Sequence, residues 1–213
     1  MGALPKLVII GAGGFGREVF AWAEQSVQMG RDWEIKGFID DNLDALAKRP
    51  SPGKLLGKIA DHQPAVDEVF ICALGVPAVK RKISELILAR GGKFARVIHR
   101  SVVLGHEVEL ADGVILCPNA VVSANNRLGR GVVVNLNSTV DHDAEVGDWT
   151  QINCHCDLTG GVIVGREVWF GSHVAIAPGV RVGDEAYLGT GTVIFRDVEP
   201  KAKMFGVPAR RIE

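Results

Sequence analysis

Large apolar residues recur at every sixth position over almost half of the chain. A helix would instead place apolar residues at i, i+3, i+4 and i+7, and a strand with one buried face would alternate them. A strict short period is typical of a solenoid built from repeating units. The series consists of Ile98, Leu104, Leu110, Leu116, Val122, Leu128, Val134, Val140, Val146, Ile152, Leu158, Val164, Phe170, Ile176, Val182, Leu188 and Ile194.

A period of six also predicts the shape of the solenoid. Three hexapeptides form one triangular turn, and each supplies one short strand, one corner and one side chain that points to the axis. Neighbouring turns then pair as parallel strands about 4.8 Å apart, and residues three hexapeptides apart stack. A second inward position follows four residues later, as at Val114 and Val132. A small residue, often glycine, directly follows the first position, and we expect it to let the backbone turn the corner. The series gives a little over five turns.

Residues 1–97 have a different pattern, in which strands alternate with helices. Apolar strands are predicted at Leu7–Ile10, Ile35–Ile39 and Val69–Ala73, helices at about 18–29 and 77–90, and a surface loop at 45–57. A glycine-rich turn, GAGGFGR, follows the first strand, and Asp40 and Asp41 end the second. This order indicates a Rossmann-like half-domain that holds phosphate at the start of a helix. Its length suits one nucleotide better than two. A tight turn that binds nothing is the open alternative.

Composition narrows the class of protein. The 213 residues carry 24 Lys+Arg against 25 Asp+Glu, a net charge of −1, and 47% are hydrophobic. This length allows two modest domains, 1–97 and 98–213. The balanced charge argues against a nucleic-acid surface. No apolar stretch approaches the ~20 residues of a membrane span, and no secretory signal is visible, so a cytoplasmic enzyme is expected. The four cysteines form no CxxC pair and are expected to be reduced packing thiols.

The two parts together, with GAGGFGRE near the start and FGVPARRI near the end, resemble one group of hexapeptide acyltransferases. These are the bacterial nucleotide-sugar N-acetyltransferases and the sialic-acid O-acetyltransferase-like proteins. The resemblance covers essentially the whole chain, and its most specific segment is STVDHDAEVGD at 138–148. It implies a left-handed parallel β-helix, against the usual right-handed crossover. It also implies a homotrimer with active sites between solenoids, and acetyl transfer from acetyl-CoA to an amino group of a nucleotide-linked sugar, without a metal.

The resemblance assigns the catalytic residues. His142 is the base that takes a proton from the acceptor, and Asp143 tunes it. Asp141 flanks the other side of His142 and stays open as its partner; either contact needs a corner or bulge, since adjacent strand residues point to opposite faces. Gly160 lies one predicted coil beyond His142, where its N–H would stabilise the oxyanion formed from the thioester.

Binding residues also follow from the resemblance. The coenzyme positions are Gln151, Gly160, Ser172, Thr190 and Arg210, with Arg211 as an alternative for the phosphate contact. Some relatives have histidine at position 151, and relatives frequently have it where Phe15 stands. UDP-linked 4-amino-4,6-dideoxy sugars are the commonest acceptors in the family, and GDP- or dTDP-linked sugars stay open. The nucleotide-sugar positions are Gly11, Gly13, Gly14, Phe15, Gly16, Asp40, Asp41 and Gly75.

Other functions stay open at this point. A histidine base serves a hydroxyl acceptor as well as an amine, so O-acetylation is the first alternative. A zinc enzyme of the γ-carbonic anhydrase type would use His142, His155 and His173, although the chain has no H-x4-H pair on one coil. A nucleotide-sugar sensor without activity is a third possibility. Trp149 and Trp169 are candidates for a trimer interface or for packing onto the first domain.

Overall fold

Three parallel strands and two helices form the N-terminal part of the protein. The computed structural model describes residues 3–47, 49 and 51–212. The sheet has the order β2-β1-β3, so the glycine-rich turn leaves its central strand. The elements are β1 Lys6–Ile10, α1 Gly14–Glu24, β2 Glu34–Ile39, β3 Glu68–Cys72 and α2 Pro77–Ala89.

The first helix begins and ends earlier than the sequence pattern predicts. It runs over Gly14–Glu24 rather than about 18–29. It starts directly after the turn because Gly16 packs on the backbone of Gly11, where a Cβ would lie 1.9 Å from the carbonyl oxygen. It ends because the chain then joins the solenoid: the Val27 N–H donates to the Ile98 carbonyl at 3.0 Å.

Short strands at six-residue intervals build the solenoid, and each ends on a member of the apolar series. This confirms the predicted period. The strands are β4 Val97–Ile98, β5 Val103–Leu104, β6 Glu109–Leu110, β7 Ile115–Leu116, β8 Val121–Val122, β9 Arg127–Leu128, β10 Val133–Val134, β11 Thr139–Val140, β12 Glu145–Val146, β13 Gln151–Ile152, β14 Asp157–Leu158, β15 Ile163–Val164, β16 Trp169–Phe170, β17 Ala175–Ile176, β18 Arg181–Val182, β19 Tyr187–Leu188 and β20 Val193–Ile194. An antiparallel pair, β21 Lys203–Phe205 and β22 Arg210–Ile212, follows.

The strands form three parallel faces of a left-handed solenoid of about six turns. The first face contains β4, β7, β10, β13, β16 and β19 and continues into β21 and β22. The second face contains β5, β8, β11, β14, β17 and β20, and the third contains β6, β9, β12, β15 and β18. Pairs such as Val133↔Gln151 set the register at one turn. We call the turn after the first face the first corner, the turn after the second face the second corner, and the turn after the third face the third corner.

The residue that turns each corner differs from the one that the sequence predicts. A positive φ recurs three positions after the inward residue, for example at Asn125, Asp143 and Gly161. The small residue directly after the inward one serves close stacking instead. A Cβ on Gly147 would lie 2.6 Å from the carbonyl carbon of Gly165 in the next coil. Glycine at that position therefore lets successive coils approach each other.

The inward series fills the axis of the solenoid, and several second inward positions are polar. Buried hydroxyls there bond to the next coil. Ser138 Oγ donates to the Asn153 carbonyl at 2.8 Å and accepts from the Cys156 N–H at 3.0 Å. Thr150 makes the equivalent pair of bonds. Leu104 is 42% exposed because its strand is at the edge of the second face.

The N-terminal part packs against the first face. Ile115, Cys117 and Val133 lie in the same buried cluster as Leu7 and Ile9 of the N-terminal sheet. The four cysteines are free, and burial raises the pKa of Cys156 to about 12. In the described part of the chain, no helix has the length and apolarity that crossing a membrane requires.

Two tryptophans considered for a subunit interface contact their own chain. Trp149, 4% exposed, lies over Gly131, and the Arg130 guanidinium sits 5.9 Å from the ring centroid. Trp169 stacks on Tyr187 with ring centroids 4.4 Å apart. Trp149 is thus part of the packing within the chain.

A buried lysine joins the two parts. Lys80 of α2 is fully buried, and its Nζ lies 3.2 Å from Gln151 Oε1 and 3.4 Å from the Thr150 carbonyl oxygen. Burial lowers the pKa of Lys80 to about 7. The first face therefore holds this amine in a site where its neutral form is favoured above about pH 7.

We expect the stability difference between wild type and Lys80→Met to depend on pH. The unfolded chain binds the Lys80 proton up to about pH 10, whereas the folded chain releases it near 7. The unfolding free energy of wild type should therefore rise relative to the variant between these values, by up to about 4 kcal/mol. Urea unfolding at pH 7, 8, 9 and 10 measures it, with exposed Lys203→Met as control. Parallel pH curves for wild type and Lys80→Met would contradict the burial effect.

Candidate active site

The second corner carries the side chains that are best suited to acid–base chemistry. His142 and Asp143 lie between β11 and β12, and Asp143 has a φ of 61°. This left-handed corner lets neighbouring side chains meet: Asp143 Oδ2 lies 2.7 Å from His142 Nδ1. Of the two flanking aspartates, Asp143 is the one that makes this hydrogen bond.

The carboxylate of Asp143 has a second partner. Asn125 Nδ2 donates to its Oδ1 at 3.1 Å. The hydrogen bonds from His142 and Asn125 lower the pKa of Asp143 below its usual range, so it is ionised at neutral pH. An ionised acceptor at Nδ1 favours the tautomer that carries its hydrogen there, which leaves a lone pair on Nε2. In the single chain the side chains of His142 and Asp143 are 65% and 58% exposed.

Gly160 lies against the imidazole ring from the next coil. A Cβ at this position would lie 2.6 Å from Cε1 and 2.7 Å from Nε2 of His142. The Gly161 N–H donates to the His142 carbonyl at 2.9 Å, which fixes the two coils in this register. Within the described residues, the Gly160 N–H donates to no protein acceptor. The corner thus places the imidazole ring of His142 directly against Gly160.

Apart from Gly160, the predicted coenzyme residues lie elsewhere on the chain. Ser172 and Thr190 stack at the first corner, where the Gly191 N–H donates to the Ser172 carbonyl at 2.9 Å. Gln151 is 1% exposed on the first face, and its amide bonds to Lys80 and to Asn153. Its side chain is therefore occupied within the protein.

Arg210 and Arg211 lie at the C-terminal end of the solenoid. They line an open cavity of about 570 Å³, together with Ile194, Phe195 and Pro208. In the same chain, Ser172 and Thr190 are thus at a different corner from His142, whereas the arginines border the turn after β20, three coils beyond His142.

The nucleotide-sugar candidates share the carboxyl edge of the N-terminal sheet. The glycine-rich turn with Gly11, Gly13, Gly14 and Gly16 follows β1, Asp40 and Asp41 follow β2, and Gly75 follows β3. Gly13 and Gly75 border open space, because a Cβ there would meet nothing within 4 Å. The exposed backbone at the start of α1 is suited to a phosphate group.

Two of these candidates also hold the local structure together. Asp40 Oδ2 accepts from the Ala12 N–H at 2.7 Å and its Oδ1 from the Asn42 N–H at 2.8 Å, so this carboxylate shapes the glycine-rich turn. Asp41 Oδ1 accepts from the Ala60 N–H at 3.2 Å. The ring of Phe15 packs edge-on against Trp22 at 6.2 Å.

Sequence reasoning missed Asn125 and Lys80. Asn125 could have been found, because it precedes Asp143 by one coil of the same repeat that led to Gly160. No repeat in the sequence predicts the contacts of Lys80, because its partners come from the packing of α2 on the first face.

The three histidines considered for a zinc site are not brought together. His155 and His173 stack at the first corner with ring centroids 4.8 Å apart and planes 3° apart, whereas His142 is at the second corner. Among the described residues, no group of three or more His, Cys, Asp or Glu side chains is arranged to hold a metal ion.

Comparison with known proteins agrees with this architecture. A family model, the PglD N-terminal domain, matches residues 6–87. The GDP-perosamine N-acetyltransferase of Escherichia coli O157:H7 is 27% identical over 125 residues. This alignment covers 57% of the chain and 55% of that relative, so it spans only about half of either protein.

Solved structures match over nearly the full chain. The acetyltransferase domain of PglB from Neisseria gonorrhoeae FA1090 is 27% identical, with a TM-score of 0.89 over 98% of this chain and 100% of that one. A further structure of that domain is a complex with acetyl coenzyme A. WeeI from Acinetobacter baumannii AYE is 25% identical, with a TM-score of 0.85 over 97% of this chain and 99% of that one.

The N-terminal match, the similarity along the whole chain and the left-handed hexapeptide solenoid agree with one another. Over nearly its full length the chain is therefore similar to the acetyltransferase domain of PglB, and its residues 6–87 match the PglD N-terminal domain.

Proposed function

We propose that the protein is an acetyl-CoA-dependent N-acetyltransferase that acts on the amino group, at C4, of a nucleotide-linked amino-deoxy sugar in the cytoplasm. The observation that carries this proposal is the second corner, where His142, Asp143 and Gly160 meet. The named activity of the E. coli relative and the acetyl-CoA complex of the PglB domain support it.

Each group at the corner has a role in the proposed reaction. The acceptor amine attacks the thioester carbonyl directly, and His142 Nε2 takes its proton. Asp143 stabilises the imidazolium through Nδ1. The Gly160 N–H donates to the oxyanion of the tetrahedral intermediate. The intermediate collapses with loss of the coenzyme thiolate, which receives the proton from His142. The products are the acetamido sugar and free coenzyme A.

The N-terminal part would hold one nucleotide of the acceptor. In this proposal the glycine-rich turn and the start of α1 bind its phosphates, and Asp40, Asp41 and Gly75 border the nucleoside and sugar. The name of the E. coli relative supports GDP-linked amino sugars as the first acceptors to test, beside UDP- and dTDP-linked ones.

The proposed active enzyme is a homotrimer. Within one chain the N-terminal part covers the first face, and His142 is at the corner opposite that face. The coenzyme candidates Ser172 and Thr190 are at the first corner. A second copy that places its first corner beside His142 would complete the site. Under this arrangement, the coenzyme is held partly by each of two chains.

A thiol-release assay tests the function. Acetyl-CoA is combined with a panel of amino and hydroxy sugars linked to UDP, GDP or dTDP. The proposal requires coenzyme A release with a 4-amino sugar and an acetamido product by mass spectrometry. Release only with hydroxy sugars would replace N-acetylation by O-acetylation. No release with any acceptor would reject the proposal.

We expect His142→Ala to lower kcat by about 10²- to 10⁴-fold, because the general base is lost. Binding of acetyl-CoA, followed by calorimetry, should change little. His106→Ala is a matched control, since His106 is exposed at the same corner two coils earlier. Turnover near the wild-type rate in His142→Ala would rule out this histidine as the base.

Gly160→Ala should lower kcat by about 10- to 100-fold, because the methyl group would displace the His142 ring. The φ of Gly160 is not in the left-handed region, so the unfolding free energy should be almost unchanged. A double-mutant cycle with His142→Ala checks the cause. If the alanine acts through the ring, the double variant should be no slower than His142→Ala alone; additive losses would contradict the contact.

Asp40→Asn should raise KM for the nucleotide sugar by about tenfold, because the single amide oxygen cannot replace both carboxylate oxygens, which accept from the Ala12 N–H of the turn and from the Asn42 N–H. The KM for acetyl-CoA and kcat at saturation should stay within about threefold. The control is Asp61→Asn at an exposed position. An equal rise of both KM values would argue against a site at this turn.

A further inference from the structure

Asn125 contacts the candidate active site from the coil before it. It lies at the second corner between β8 and β9, with a φ of 57°, a conformation that asparagine tolerates better than most residues. Its backbone N–H donates to the His106 carbonyl at 2.9 Å, and its Nδ2 donates to Asp143 Oδ1 at 3.1 Å. Backbone and side chain are therefore both tied to neighbouring coils.

The two oxygens of Asp143 have separate partners. Oδ2 is on His142 Nδ1 and Oδ1 is on Asn125 Nδ2. The terminal torsion of an aspartate is broad, so one hydrogen bond alone leaves the carboxylate plane free to rotate. A second donor on the other oxygen restricts that rotation. Because the His142 ring is hydrogen-bonded to Oδ2, its orientation is restricted as well.

We propose that Asn125 is a positioning residue, whose amide fixes the Asp143 carboxylate and thereby holds the His142 ring against Gly160. This inference rests on the proposed function, since it assigns Asn125 to the reaction that His142 would perform. Asn125 itself touches neither reacting group.

The surroundings explain why a neutral donor is suited to this place. Arg127 pairs with Glu109 at 3.0 Å rather than with Asp143. A cationic donor at position 125 would compete with the imidazolium for the carboxylate, whereas an amide steadies it without added charge. The groove beside Asp143 is lined by Glu107, Glu109, Asn125, Asn126, Arg127 and Glu145.

Removal of the amide without backbone strain tests the proposal. Asn125→Gly retains the left-handed corner, because glycine adopts positive φ freely. We expect kcat to fall about tenfold, with both KM values within about twofold, since ring placement and not binding is lost. Asn119→Gly is the matched control: Asn119 has a φ of 61° and donates to Asn137 Oδ1 at 3.2 Å, but at the first corner.

A second readout does not depend on turnover. Carbon-13 NMR of labelled aspartate carboxyls follows the titration of Asp143. In Asn125→Gly the pKa of Asp143 should rise towards its ordinary value, because one of the two hydrogen bonds that lower it is gone. In Asn119→Gly it should stay where it is in wild type. An unmoved Asp143 titration in Asn125→Gly would overturn the proposal.

The kinetic outcomes are equally decisive. Unchanged kcat in Asn125→Gly, or a fall matched by a rise in either KM, would also overturn it, since neither is the result of a displaced base. Failure of the proposed function has a different signature: the wild type would release no coenzyme A with any acceptor, or His142→Ala would keep its turnover. In that case the Asp143 titration would still report whether Asn125 holds the carboxylate.

Discussion

The hydrogen bonds between successive coils are the constraint on which the rest of the structure depends. Each strand contributes two residues to a face, too few to be stable alone, and pairs in parallel with strands one turn before and after it. The corners can close because a residue with positive φ recurs at six-residue intervals. Buried hydroxyls such as that of Ser138 add side-chain bonds across the same spacing. Each coil is therefore stabilised mainly by its contacts with the coils directly before and after it.

The candidate site is a product of this register. Gly160 meets the His142 ring and Asn125 meets Asp143 because each pair is one coil apart at the same corner. The left-handed φ of Asp143 brings two adjacent side chains together, which a straight strand would separate. Three successive coils therefore contribute to one small group of atoms, and no loop is needed to assemble it.

The sequence predicts the solenoid well and the contacts between the N-terminal part and the solenoid less well. The apolar series locates the strands β4 to β20, because each hexapeptide supplies one strand that ends on its inward residue. The prediction of which residue turns the corner is wrong. The glycines directly after the inward residues serve close stacking of coils, as Gly147 does, and the residue with positive φ lies two positions further along. The end of α1 was predicted too late because amphipathicity continues beyond Glu24, where tertiary contacts with the first solenoid strand take over. The contacts of Lys80 and Gln151 depend on how α2 packs on the first face, and no local sequence pattern predicts that packing.

Stacking in whole turns also restricts how such a protein can change in length. A single inserted residue within a face would rotate every later side chain out of its place, so that inward residues would meet water and His142 would lose Gly160. Complete turns can be added or removed without this cost, and loops can grow outward at a corner without disturbing the stack. His142 and the turn after β20, which Arg210 and Arg211 border, are therefore separated along the axis by three coil spacings. If whole turns were added or removed between them, the length of a ligand that spans both places would have to change by whole coil spacings.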